Sequence, residues 1–317
     1  AINFLKEAVK RTIETPLVAP EIISVSQFIE ELSSIRRLPK VDLLYALYEV
    51  YQEQTPKKEL ESFHQFYGWG ATLLEEFNEI DAQLVNAKEL FGFMSALGEI
   101  EVWGDQKQGD LSKRHFKIQE QYSLYYEKLY KKLLQMGRGY SGLRLREAVQ
   151  NLPFYTQQNL SKHLFVGFNA LTKAEETIIQ ELLAEGKAEI IWDLDQTFYE
   201  DAYHSAGHYI RTYQKNWKGL NKQPKPKFTN YFSEAKEFEI ISTAKNSIQS
   251  KTAIQIAKEL KEENPGDSTV VVLGDETLLL PTLSVLPEEL PWNITMGYPL
   301  KDTVLFGFFI HYFELQQ

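Results

Sequence analysis

The stretch His163-Leu164-Phe165-Val166-Gly167-Phe168 is a short apolar run that ends in a glycine-containing turn, the pattern of a buried β-strand. Directly after it, Thr172 and Glu175 have the spacing of a capping box and open an amphipathic helix. A second apolar run follows at Ala188–Trp192. Strand-like runs that alternate with amphipathic helices predict βαβ units and a parallel sheet.

The alternation continues toward the C-terminus. Apolar runs at Phe238–Ile241 and Thr269–Leu273 flank a helical pattern that carries Ile248, Ile256 and Leu260 on one face. Between the two groups of runs, Gln223–Lys227 (QPKPK) has the two prolines of an extended linker. We therefore expect an α/β fold for the second half of the chain.

The first half has helical spacing instead. Ser24 and Gln27 form a candidate capping box before Phe28, Ile29 and Leu32. Further helical patterns cover roughly residues 59–97 and 113–136, and another helical stripe consists of Leu43, Leu44, Leu47, Tyr48 and Tyr51. Their many aromatic residues are expected to pack between helices.

Composition excludes several classes of protein. The chain has 317 residues, 43% hydrophobic, with no cysteine and a formal net charge of −10. The lack of cysteine excludes disulfides and Cys-ligated metals, and the acidic balance argues against a surface that binds nucleic acid all over. No apolar stretch is long enough to span a membrane. We expect a bacterial cytoplasmic protein, and the absence of an initial Met suggests a fragment.

One segment is locally basic. Residues 202–233 contain no Asp or Glu but carry the cations Arg211, Lys215, Lys218, Lys222, Lys225 and Lys227. Trp217 and several tyrosines and phenylalanines lie among them. Cations that follow phosphates and aromatics that stack on bases are what single-stranded DNA requires. The alternative is a solvated helix face whose aromatics belong to the core.

Ile190–Thr197 (IIWDLDQT) suggests a different chemistry. It matches the DxDxT pattern of haloacid-dehalogenase-type phosphohydrolases, in which Asp193 would be the nucleophile, Asp195 the general acid/base, and Asp275 would complete a Mg²⁺ site. Leu279 stands where that pattern expects another acid. The two aspartates could equally end a strand and cap the next helix.

Other catalytic motifs are missing or incomplete. Ala188 follows the only Gly-Lys pair, so the chain has no Walker A motif for nucleotide phosphates. No Pro-Asp precedes an acid-x-Lys triplet, so it has no nuclease centre of that type. His204 and His208 have the spacing that shares a metal on a helix face, but no third ligand is evident.

Several segments together resemble the AddB-like members of the PD-(D/E)XK nuclease family. These segments are Ile23–Leu32, Phe66–Asp81 (FYGWGATLLEEFNEID), Phe165–Glu176 (FVGFNALTKAEE), Lys187–Asp195 (KAEIIWDLD), His204–Gly207 (HSAG), Leu273–Pro287 (LGDETLLLPTLSVLP) and Asn293–Thr303 (NITMGYPLKDT). Ser205 departs from the acidic residue usual in that family at its position.

The resemblance implies an inactivated superfamily 1 helicase-like region whose nuclease domain is absent. Residues 1–39 and 151–235 would form a degenerate RecA-like domain, 40–150 a large helical insertion, and 236–317 the start of a second RecA-like domain (helicase 1A/1B plus part of 2A). Gly167, Phe168 and Asn169 would replace the acids of the Walker B strand.

The resemblance also implies a role in DNA repair and recombination. The region would be a non-catalytic scaffold that contacts single-stranded DNA beside an active motor subunit of an exonuclease or ATP-dependent helicase–nuclease. No cofactor is expected in this fragment, whereas Mg²⁺ would serve the absent nuclease domain.

Overall fold

The computed structural model describes residues 2–12, 20–94, 110–158, 161–222, 226–266, 268–288 and 291–316, with the backbone alone for 110–120 and 222. The chain divides into two compact units, Ala1–Glu234 and Ala235–Gln317. Each unit has its own secondary structure and packing.

The described part of the first unit is mainly helical. Its helices are Ile2–Thr12 (α1), Val25–Ser33 (α2), Lys40–Gln54 (α3), Phe63–Ala82 (α4), residues 87–94 (α5), Asp110–Met136 (α6), Ser141–Gln158 (α7), Lys173–Ala184 (α8), Gln196–Glu200 (α9) and His208–Asn216 (α10). Its strands are Arg36–Arg37 (β1), Arg138–Gly139 (β2), His163–Val166 (β3) and Ala188–Ile191 (β4). Short 3₁₀ turns occur at Ser205–Gly207, Lys218–Lys222 and Tyr231–Ser233.

Capping explains where three of these helices begin. The predicted capping boxes at Ser24 and Thr172 are confirmed, and a third one at Ser62 opens α4. In each case a hydroxyl accepts a bond from the backbone N–H three residues on, and that residue's side chain binds back to the cap. Two N–H groups without helical partners are satisfied reciprocally in this way.

Two hydrophobic cores support the first unit. In one, α3, α4 and α6 pack around fully buried side chains such as Leu47, Phe66 and Leu129. In the other, α2, α7, α8 and α10 pack around Ile178, Leu182 and Ile210. Helix α7 contributes to both cores, with Leu143 in the first and Ala148 and Leu152 in the second.

The predicted β-α-β unit at residues 163–191 is present. β3 and β4 are parallel, with Phe165 registered on Ile190, and α8 connects them. β1 and β2 also pair in parallel, with Arg36 registered on Arg138. Among the described residues these are two separate two-stranded sheets.

The prediction of an α/β fold with RecA-like sheets, helicase 1A/1B plus part of 2A, is therefore wrong. The described chain is mostly helical, and the runs at Phe238–Ile241 and Thr269–Leu273 have no regular secondary structure and no ladder partners there. Ile240 is 96% exposed and Val272 84% exposed, although both have the composition of buried strand residues. A run's composition indicates that it favours a strand, but a sheet also requires neighbours in register.

The second unit contains Asn246–Glu263 (α11), Leu279–Leu283 (α12) and Val304–Glu314 (α13), with 3₁₀ turns at Glu276–Leu278 and Leu300–Asp302. α11 and α12 bury a few side chains, including Ile254 and Leu279, and the Thr282 hydroxyl donates to the Ser250 hydroxyl at 3.1 Å. α13 buries none of its side chains. Within the described ranges, every helix is too short or too polar to cross a bilayer.

Candidate nucleic-acid interface

Three lysines of the basic segment lie on the surface. Lys215 is in the last turn of α10, Lys218 begins the next 3₁₀ turn, and Lys227 follows the segment 223–225. All three are exposed and form no ion pair with any other described residue. The Lys222 side chain and Lys225 lie outside the described residues. Three predicted DNA-binding cations are therefore available to a ligand.

Arg211 has a different role. Its guanidinium donates to the backbone carbonyl oxygens of Phe198 at 2.7 Å and His204 at 2.7 Å, with longer bonds to Tyr199 and Ala202. An added Cβ at Gly207 would overlap this guanidinium, so the chain approaches it closely there. Arg211 holds the turn between α9 and α10, and its two terminal nitrogens are already occupied.

Trp217 belongs to the second core. It is 3% exposed, and its ring stacks on Tyr213 with centroids 4.5 Å apart and lies 6.2 Å from Trp192. A base cannot stack on a face that is already covered. Trp217 and Tyr213 therefore agree with the alternative given for residues 202–233, in which the aromatic side chains belong to the core.

Other aromatic side chains near Arg211 are exposed. Tyr203 is 98% exposed, Tyr231 67% and Phe232 53%. The Phe198 ring contacts both Phe232 and His204, each with centroids 4.5 Å apart. We call these five residues, Phe198, Tyr203, His204, Tyr231 and Phe232, the aromatic patch. Phe198 carried no signal in the sequence, and His204 was singled out there as a metal ligand instead; only the fold brings both close to Phe232.

Asp195 fixes one side of the aromatic patch. It caps α9 by accepting from the Thr197 N–H at 3.0 Å, and its other oxygen accepts from the Phe232 N–H at 3.0 Å. The Gln196 N–H donates to the Thr229 carbonyl oxygen at 2.7 Å. Desolvation alone would raise the pKa of Asp195, but the N–H donors of Phe232 and Thr197 outweigh it, so the pKa lies below its ordinary value.

These bonds bear on the phosphohydrolase interpretation. Asp195 is engaged as a cap, Asp193 is exposed, and Asp275 in the second unit caps a 3₁₀ turn by accepting from the Thr277 N–H at 2.8 Å. The residues that the structure describes contain no group of three His, Asp or Glu side chains that could hold a metal ion. The geometry therefore favours the capping alternative for Asp195, and Asp275 is a cap as well.

The two histidines also differ from the prediction. His204 precedes the 3₁₀ turn and accepts from the Ala206 N–H at 3.2 Å through Nδ1, whereas His208 begins α10. The two residues do not share a helix face. A spacing of four places side chains together only within a continuous helix.

Gly167, Phe168 and Asn169 follow β3. Gly167 has a φ of 76°, a left-handed conformation that glycine adopts without strain. Phe168 packs on Phe165, with ring centroids 5.7 Å apart, and Asn169 is exposed. These residues turn the chain from β3 toward α8 and present no carboxylate.

The sequence matches no known protein family, and no curated protein is significantly similar to it.

Proposed function

We propose that this chain is a non-catalytic DNA-contacting part of a bacterial DNA-repair helicase–nuclease, and that it holds single-stranded DNA in the cytoplasm. The observation that carries the proposal is the aromatic patch beside exposed lysines. Single strands are bound in this way, with cations near phosphates and bases stacked on aromatic rings. The motif resemblance supports the repair assignment and a motor subunit as partner.

The fold supports the proposal because hydrogen bonds within the protein already fix the backbone of the aromatic patch. Arg211 fixes the turn that carries Tyr203 and His204, and Asp195 fixes the backbone at Phe232. The Asp201 carboxylate accepts from the Tyr203 N–H at 2.9 Å. A prearranged surface loses less conformational entropy when it binds.

Lys215 and Lys227 lie on segments that adjoin the elements of the patch. Lys215 is four residues after Arg211 on α10, so the two side chains share a face of that helix. This face is directed toward the turn between α9 and α10, which Arg211 holds. Lys227 precedes Phe228, whose ring contacts Tyr199 at a centroid distance of 4.5 Å. Phosphates of a strand stacked on the patch would meet these cations.

The proposal is tested by the salt dependence of binding to a fluorescently labelled oligothymidylate. The variant Lys215→Glu/Lys218→Glu/Lys227→Glu is expected to lose at least about tenfold in affinity. The slope of log K against log salt should fall by about 0.7 for each phosphate that the variant no longer neutralises. The matched control is Lys57→Glu/Lys58→Glu, which reverses two exposed lysines elsewhere.

A second variant tests the stacking. Tyr203→Ala removes a ring that is 98% exposed, so it should not disturb the fold. We expect it to weaken binding by about 1–3 kcal/mol, the contribution of one stacked base. Binding equal to wild type in both the lysine and the tyrosine variants would refute the proposed function.

A further inference from the structure

A second basic cluster lies where β1 pairs with β2. Arg36 is registered directly on Arg138, and Arg37 follows Arg36 in the same strand. All three arginines are exposed. None forms a salt bridge or hydrogen bond through its guanidinium with any residue in the described ranges. We call Arg36, Arg37 and Arg138 the arginine cluster.

The backbone holds the arginine cluster in place. The Arg36 N–H donates to the Gly137 carbonyl oxygen at 3.0 Å, and the Leu38 N–H donates to the Gly139 carbonyl oxygen at 3.0 Å. On either side of the pair, Ile35, Leu38 and Tyr140 are buried in the first core. The arginines therefore project from strands that are anchored on both sides.

The arrangement concentrates positive charge. Registered residues on neighbouring strands are about 4.8 Å apart and face the same side, and like charges at such positions destabilise a sheet. Arg144 is buried beside them. Burial lowers the pKa of Arg144, and the nearby charge of Glu30 opposes that shift while Arg37 adds to it. The Glu30 carboxylate is already occupied by Arg144, at 3.3 Å.

We propose that the arginine cluster is a second phosphate-binding site, which holds the backbone of a nucleic acid independently of the aromatic patch. A guanidinium presents a planar fork of donors that matches phosphate oxygens in pairs. Two adjacent guanidinium groups suit a phosphate, because a phosphate offers more acceptor oxygens than a single carboxylate does. A bound phosphate also removes the repulsion between Arg36 and Arg138.

The test uses the full chain, with the same labelled oligothymidylate and, separately, pyrophosphate as probes. Arg36→Gln/Arg138→Gln removes both charges from exposed positions and leaves the backbone bonds of β1 and β2 in place. We expect DNA affinity to fall about tenfold or more, since each charge-assisted bond contributes on that order. Arg36→Lys/Arg138→Lys, which keeps the charge but not the forks, is expected to recover only part of that affinity.

A matched control and a combined variant keep this inference separate from the proposed function. Lys57→Gln/Lys58→Gln should bind DNA as wild type does. If the two sites are independent, the arginine and the Lys215/Lys218/Lys227 substitutions lower affinity by factors that multiply. If DNA binding weakens in the arginine variant but not in the Lys215/Lys218/Lys227 variant, the result would support the arginine cluster and count against the aromatic patch. Wild-type DNA affinity in the arginine variant, or an effect confined to pyrophosphate, would overturn the site.

Discussion

The carboxylate of Asp81, in the last turn of α4, accepts a 2.6 Å hydrogen bond from the hydroxyl of Tyr140, which lies between β2 and α7. Asp81 is fully buried, and it also accepts from the Tyr126 hydroxyl at 2.5 Å and from Nε of Arg146 at 2.6 Å. Burial raises the pKa of Asp81, and the bonds from Tyr126, Tyr140 and Arg146 oppose that shift. One carboxylate therefore joins α4, α6 and α7.

Removing that carboxylate should strongly destabilise the first unit. Asp81→Ala leaves the Arg146 charge without its carboxylate partner and removes the acceptor of the buried Tyr140 hydroxyl and the half-buried Tyr126 hydroxyl. We expect a decrease of about 3–5 kcal/mol in the free energy of unfolding. The control is Glu75→Ala, which breaks an exposed, solvent-screened pair with Lys40 and should leave the free energy of unfolding nearly unchanged. Urea denaturation followed by circular dichroism measures both. Equal decreases would show that the Asp81 network contributes little.

Two glycines should respond oppositely to alanine. An added Cβ at Gly142, at the start of α7, would overlap the Asn78 carbonyl oxygen of α4, so Gly142→Ala forces the helices apart. Gly68 lies inside α4 with open space around it, and Gly68→Ala should stabilise the fold by about 0.5–1 kcal/mol. Thermal unfolding of the two variants measures the difference. A Gly142→Ala protein as stable as Gly68→Ala would contradict the close helix crossing.

Substitution of Arg211 should lower the stability of the fold without changing the salt dependence of DNA binding. Arg211→Ala removes the donors of four backbone carbonyls, and Arg211→Lys cannot restore them, because an ammonium lacks the planar fork. We expect both variants to lower the unfolding midpoint. At a temperature where they remain folded, the salt dependence of DNA binding should keep its wild-type slope. A reduced slope with unchanged stability would assign Arg211 to phosphate binding instead.

Asp195 should make the aromatic patch sensitive to acid. Its folded pKa is depressed below the ordinary value of 3.8, so its contribution to stability is present above that value and is lost as the pH falls through the folded pKa. Asp195→Asn keeps a good helix cap that does not titrate. The protection of the Phe232 amide against hydrogen exchange, relative to an unstructured chain at the same pH, should therefore fall at acid pH in wild type but less in the variant. Identical acid responses would remove Asp195 as the cause.

Helix α13 should tolerate polar substitutions. Phe308 is 62% exposed and Phe313 59% exposed, and α13 buries no side chain. Phe308→Ser/Phe313→Ser should change the free energy of unfolding by no more than about 0.5 kcal/mol, and should reduce binding of a hydrophobic dye. Phe77, fully buried in the first core, is the contrasting site, where Phe77→Ala should cost about 3–5 kcal/mol. A large destabilisation by the α13 variant would show that this helix is packed.

Local features could be predicted from the sequence, and pairings between distant residues could not. The capping boxes at Ser24 and Thr172 depend on neighbours three residues apart, and both are present. The β3–α8–β4 unit is also local. Phe238–Ile241 and Thr269–Leu273 have the composition of strands, but composition does not specify a partner strand, and the predicted sheet is not formed among the described residues.

The site shows the same distinction. Lys215 and Lys218 are exposed as the charge pattern indicated, whereas the Arg211 guanidinium is directed at carbonyls that only the folded turn brings together. The arginine cluster was invisible in the sequence, because Arg36 and Arg138 are far apart along the chain.

The pairing of β1 with β2 also orders events during synthesis. The ribosome releases Arg36 long before Arg138, so β1 stays unpaired until helices α3 to α6 and then β2 have been translated. Tyr140 and Leu143, which complete the first core, emerge last. During that interval, the positive charges of Arg36 and Arg37 disfavour β-pairing between the exposed β1 edge and another nascent chain.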